Sequence, residues 1–194
     1  MINPLYESFP EKIRVNDKEY SIITDFREWI RFADMLADEE LTAEEKVLAA
    51  AQWLNDPPEY ISEGIIMALI SFYRADALDP EMPEGEQADG AEEPRRPPVF
   101  SYKYDAKYII GDFLRYYGID LLTAEMHWWQ FRCLMAALPD DSACQKRIAY
   151  RSADLSKIKD DAERHRIMEI QRRIAIPYEM TDDEISAVFE VRNE

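Results

Sequence analysis

Glycine is scarce in this chain, with five in 194 residues. No G-x-G-x-x-G, P-loop or G-x-S-x-G pattern occurs, which leaves phosphate cradles and nucleophile elbows without support. Histidine and cysteine are scarcer still. His127 and His165, with Cys133 and Cys144, match no compact zinc spacing, so a metal tetrahedron would have to come wholly from tertiary contacts. No metal and no cofactor is expected. Two cysteines make no disulfide framework and read as reduced thiols, with Cys133 expected to be buried on a helix. No apolar run approaches the roughly 18 residues that span a bilayer. The opening MINPLYESFPEKIRV lacks the basic and then apolar regions of a secretory signal. Positive charge is short as well: 23 Lys and Arg face 40 Asp and Glu, a net charge of −17. Nucleic-acid affinity comes from cations that neutralise phosphates. Neither nucleic acid nor an anionic membrane is therefore an expected partner.

What remains is the composition of a globular protein, 47% hydrophobic and 12% aromatic, enough for one domain with a core that needs no staples. The charge is uneven. Residues 1–98 hold 9 basic against 23 acidic side chains, and residues 99–194 hold 14 against 17. Within Lys146 to Ile176 the sign reverses, nine basic against five acidic. Two readings stay open: solubility alone, or head-to-tail self-association and an acidic face for a basic partner.

The alternation in KIRVNDKEYSIIT around Asn16-Asp17 predicts a β-hairpin, which must pack on something larger because a lone hairpin is marginal in water. Thr24 or Asp25 then caps a helix with Phe26, Trp29, Ile30, Ala33 and Leu36 at helical spacing. Thr42 to Glu45 is a capping box for a helix through Val47, Leu48, Ala51 and Leu54, stopped by Asn55-Asp56-Pro57-Pro58. A third, largely buried helix is expected from about Glu59 to Tyr73. Residues 76–98 hold five prolines and eight acidic side chains with almost no large apolar residue, and read as a mobile loop inserted within one domain spanning 1–194. Whether the hairpin pairs with a short strand at Val99 to Tyr102 stays open. Asp105 is expected to cap a helix that ends at a left-handed Gly118. Thr123 is expected to cap the next, with Met126, Trp129, Cys133, Leu134 and Ala137 on one face. A short helix near Ala143 to Tyr150 follows. A longer one opens at Asp160 with Ile167, Ile170 and Ile174 as its buried stripe, and Thr181 to Glu184 opens a last short helix. The fold class is mainly α with a small N-terminal β-hairpin, a multi-helix domain with an acidic loop.

No catalytic set emerges, and no enzyme is expected. His127 reads as a packed histidine hydrogen-bonded to backbone rather than a general base. Trp128 has two readings. It is either half exposed and an interaction anchor, or packed beneath the loop or hairpin. The basic row Lys157, Lys159, Arg164, Arg166, Arg172 and Arg173 is a solvated helix face, or a surface that meets the acidic half of another copy. Trp128, Arg164, Arg172 and Arg173 are the candidate protein-interaction residues. Acidic pairs such as Asp140-Asp141 and Asp160-Asp161 are explained by capping.

Several stretches resemble the gene-product-fifteen family of bacteriophage proteins from siphophages and prophages: YSIITDFREWIRF, ISFYR, YDAKYIIGDFLRYYGIDL, MHWWQFRCLMAALPDD and IAYRSADLSKIKD. Together they span nearly the whole chain, and they are packing and capping signatures rather than active-site motifs. The resemblance implies a role in tail morphogenesis, because genes of that family lie between those for the major tail protein and the tape-measure protein. That place is typically filled by tail assembly chaperones, which bind the tape measure before tube protein polymerises around it and leave before the virion is complete. The implied partners are the tape-measure protein, with an upstream tail chaperone, the major tail protein and further copies of this chain as others. The implied location is the cytoplasm of the bacterial host. A structural tail or connector subunit is the alternative role.

Overall fold

In the computed structural model, residues 3–78 and 97–177 are described. The acidic loop expected at 76–98 falls almost wholly on 79–96, outside the described residues, and so does the helix expected at Thr181 to Glu184. The fold is mainly α with an N-terminal two-stranded hairpin, as expected. The chain divides into two compact units, residues 1–86 with 125–137, and residues 87–124 with 138–194.

The first unit begins with strands β1 (Lys12–Val15) and β2 (Lys18–Ser21), paired antiparallel with Ile13 opposite Tyr20. Asn16 and Asp17 both take left-handed backbone, φ 48° and 61°, as a two-residue turn that matches the strand twist requires. The hairpin rests on α3 (Glu63–Arg74), where a Cβ added at Gly64 would lie 2.9 Å from Val15 Cγ1. Only glycine allows so close an approach. Asp25 caps α1 (Phe26–Ala37), its side chain accepting the Arg27 amide. The Thr42–Glu45 capping box opens α2 (Ala43–Ala50), which tightens into a 3-10 turn at Ala51–Trp53. Helix α3 starts at Glu63, later than the Glu59 expected, and stops at a left-handed Ala75.

The core of this unit is aromatic. Trp29, Phe32, Trp53 and Phe72 pack with ring centroids 4.6–5.1 Å apart. Phe32 and Trp53 were not among the expected core residues, whereas Leu48, which was, is exposed on α2. The buried side of α1 runs through Phe26, Trp29 and Phe32, so Ile30, Ala33 and Leu36 sit at its half-buried margin. Helix α5 (Trp128–Ala136) completes the unit.

The second unit holds α4 (Tyr102–Tyr117), α6 (Ala143–Ser152), a 3-10 turn at Leu155–Lys157 and α7 (Asp161–Ile174). Ser101 caps α4, accepting from the Tyr104 amide, so the expected strand at Val99 to Tyr102 is absent and Asp105 is not the cap. Gly118 ends α4 with φ 68°, as expected. Ser142 and Asp160 cap α6 and α7. Ile167, Ile170 and Ile174 face inward but only half-buried, and no residue of α7 is fully buried.

Candidate interaction surfaces

The sequence HWWQFR at residues 127–132 joins two helix ends. His127, not Thr123, caps α5: its Nδ1 accepts the Trp129 amide at 3.0 Å. Thr123 is held instead in a turn built on Asp120. Since Nδ1 accepts, the proton sits on Nε2, 3.1 Å from the Pro10 carbonyl. The indoles of Trp128 and Trp129 donate at 2.8 Å to the carbonyls of Tyr73 and Phe72 in the last turn of α3. Arg132 Nη1 donates to the Tyr73 carbonyl as well. The Tyr73 carbonyl, in the last turn of a helix, is satisfied here by side chains from α5, while that of Phe72 also accepts the Ala75 amide. The indoles of Trp29 and Trp53 likewise donate to main-chain carbonyls, those of Ile23 before α1 and Glu28 in its first turn.

This geometry corrects the half-exposed reading of Trp128, which is fully buried and stacked on Tyr73 at 5.5 Å. It also corrects Cys133. The two tryptophans and Phe131 take the buried face of α5 and leave that thiol exposed.

Burial lowers the His127 pKa from its usual 6.5, against the opposing pull of the Pro10 carbonyl and Glu11. An unfolded chain thus takes up this proton more readily than the folded one. The histidine contributes stability that is complete above 6.5 and is lost as pH falls from there towards the lower folded value. Urea melts from neutral pH to the acid side of 6.5 should show a declining midpoint, and His127→Asn, which keeps a capping oxygen, should flatten that slope. An unchanged slope in the variant would place the titration elsewhere.

In the second unit, α4 turns two acids inward. Asp112 accepts the amides of Ala143 and Cys144, at 3.1 and 2.8 Å, across the first turn of α6. One charge at a helix N-terminus answers both orphan amides and the helix dipole. Seven residues earlier, Asp105 is completely buried and binds Arg147 and Arg151 on the same α6. Both its oxygens are used: Arg151 bridges them at 2.6 and 2.9 Å, and Arg147 donates at 3.0 Å. Burial alone would raise the Asp105 pKa, but the hydrogen bonds from Arg151, Arg147 and the Ser101 amide outweigh it and hold the carboxyl below its ordinary range. Arg151 also donates to the carbonyls of Val99 and Ile174, so one guanidinium ties α4, the segment before it and the end of α7. This is a structural clamp. Cys144, beside it, is pushed up to about 11 by burial and by Asp105 and Asp112, so its thiol is a poor nucleophile at neutral pH. Among the described residues, no group of three or more His, Cys, Asp or Glu could hold a metal ion.

The basic row near the C-terminal end is largely balanced within itself. Arg164 pairs with Asp161, Arg166 with Glu163 at 2.7 Å, Arg172 with Glu169 at 3.3 Å and Lys157 with Asp154 at 3.5 Å. Each pair is three residues apart and exposed, so its energy is small, but it cancels the local charge. Arg164 and Arg172 line two shallow grooves that share Met168, of about 670 and 340 Å³. Arg173 is exposed on the same helix. Trp128 belongs to the first unit and these three arginines to the second.

Two exposed helix faces escaped the sequence reading. On α4, Lys103, Tyr104, Lys107, Leu114 and Arg115 are exposed, with Gly111 between them. A Cβ at Gly111 would meet nothing within 4 Å, so no packing in the described molecule explains a mid-helix glycine that costs about 1 kcal/mol against alanine. On α2, Glu44 and Leu48 are exposed one turn apart, after a turn carrying Asp38, Glu39 and Glu40. Met67 and Tyr60 are exposed in the same unit. The signal for the α4 face was present: Asp105, Ile109, Asp112 and Phe113 repeat at helical spacing, and the residues between them must face outward.

No helix among the described residues is long and apolar enough to cross a membrane. A family model described as "Bacteriophage Gp15 protein" matches residues 5–176. No curated protein and no solved structure matches the chain.

Proposed function

Because the chain belongs to the bacteriophage Gp15 protein family, we propose that it is a tail assembly chaperone, binding the tape-measure protein in the host cytoplasm and leaving before the virion is complete. The observation that carries this reading is the exposure of apolar side chains on charged helix faces, Leu48 on α2, Met67 on α3, Tyr104 and Leu114 on α4. A tape measure offers long amphipathic helices, and such faces bind helices through spaced apolar anchors with charges at the rim. Weak contacts repeated along a polymer add up by avidity. The upstream tail chaperone and the major tail protein are further partners under this reading.

The test is co-expression with the adjacent tape-measure protein and pull-down from the soluble fraction. The chaperone reading requires the tape measure to become soluble and to co-purify, with Leu48→Glu and Leu114→Glu weakening recovery. An insoluble, unbound tape measure overturns it. Stoichiometric retention of this chain in purified particles would make it a tail or connector subunit instead.

A further inference from the structure

The exposed faces of α4 and α2 complement each other, and we propose that they join successive copies of this chain head to tail. The inference shares exposed residues with the tape-measure reading but is tested on this chain alone, with no tape measure present, so either can fail alone.

The α4 face is basic and notched. Among the described residues, Lys103, Lys107 and Arg115 have no carboxylate within ion-pair distance, each lying beside the ring of the next tyrosine at 5.7, 5.0 and 5.2 Å. The acids of this helix, Asp105 and Asp112, are spent inward on α6. A helix face with three cations and no anion stands apart in a chain of net charge −17. Tyr104 and Leu114 supply exposed apolar surface, and Gly111 leaves a gap between them.

The α2 face is its counterpart. Leu48 is 71% exposed, one turn from Glu44. Asp38, Glu39, Glu40 and Glu44 have no cation within ion-pair distance among the described residues. Leu48 is a knob for the Gly111 gap, with Glu44 placed to meet Lys107 and the preceding acids to meet the other cations of α4. Neither face can pair with its own kind, since like charges would oppose. The contact is therefore between unlike faces, α4 of one copy on α2 of the next. One helix crossing buries less than the roughly 800 Å² per partner of a standard interface, so the association is weak and depends on concentration.

The test is sedimentation of the full chain over a concentration series at physiological ionic strength, where a Debye length of about 8 Å screens the net repulsion. Wild type should grow in mass as concentration rises. Lys107→Glu and Glu44→Lys should each weaken self-association at least about ten-fold. Mixed one to one, the two variants should associate again, because the intact faces still match and the two reversed charges complement each other. That mixture also shows that both variants are folded. A wild type monomeric throughout, a closed dimer indifferent to both substitutions, or a mixture that stays monomeric overturns the proposal.

Discussion

Asp105→Ala should destabilise the second unit by about 3–5 kcal/mol, because it leaves an almost wholly buried Arg151 without its counter-charge. The burial matters more than the ion pair itself. Removing both charges, as in Asp105→Leu with Arg151→Met, should recover part of the loss, since a buried pair replaced by apolar groups is often nearly neutral. Recovery stays incomplete because the carbonyls of Val99 and Ile174 lose their Arg151 donor. Arg147, only partly buried and stacked 4.2 Å from the Tyr108 ring, can turn its charge to water. Acid should act on the same group. The lowered carboxyl pKa means that its contribution is complete above the ordinary value of 3.8 and is lost as pH falls below it. Urea melts followed by far-UV circular dichroism measure all three effects. A single variant costing less than about 1 kcal/mol would mean that water or a rotamer change reaches Arg151 easily.

Trp128→Ala is expected to cost about 3–5 kcal/mol, the range for removing a large buried aromatic. The ring is fully buried between Tyr73 and Phe131, and its indole nitrogen holds the end of α3. Trp128→Phe should cost less, because the ring stack survives and the Tyr73 carbonyl keeps its Arg132 donor. The comparison separates a core role from a binding role. If Trp128→Ala melted like wild type and lost only partner binding, the burial argument would be wrong.

Local chemistry was legible in the sequence, and contacts between distant segments were not. Asn16-Asp17, the Thr42–Glu45 box, Asp160 and Gly118 acted where they were expected, because each works on its own backbone within a few residues. Thr123 failed as a cap because the Trp128 amide is taken by the Thr24 carbonyl, more than a hundred residues away. Asp105 looked like a cap because an acid near a helix start usually is one, and only the packing of α4 on α6 reveals its two arginines. Amphipathic spacing also misplaced Leu48, since a short helix covered on one edge need not bury all of its apolar stripe. The surroundings of the candidate arginines were the least legible. Arginines were counted as surface charge, yet whether a cation is available to a partner depends on a carboxylate three residues away.

The four tryptophans have a consequence for experiments on this chain. All of them, Trp29, Trp53, Trp128 and Trp129, lie in the first unit, and each indole is fixed to a main-chain carbonyl. Their emission therefore reports on that unit alone, while the second unit is visible only through tyrosine and helical dichroism. Two optical channels thus separate the halves of one polypeptide without any label. Where the fluorescence and dichroism transitions coincide, the halves unfold as one cooperative body; where they part, each half has a stability of its own.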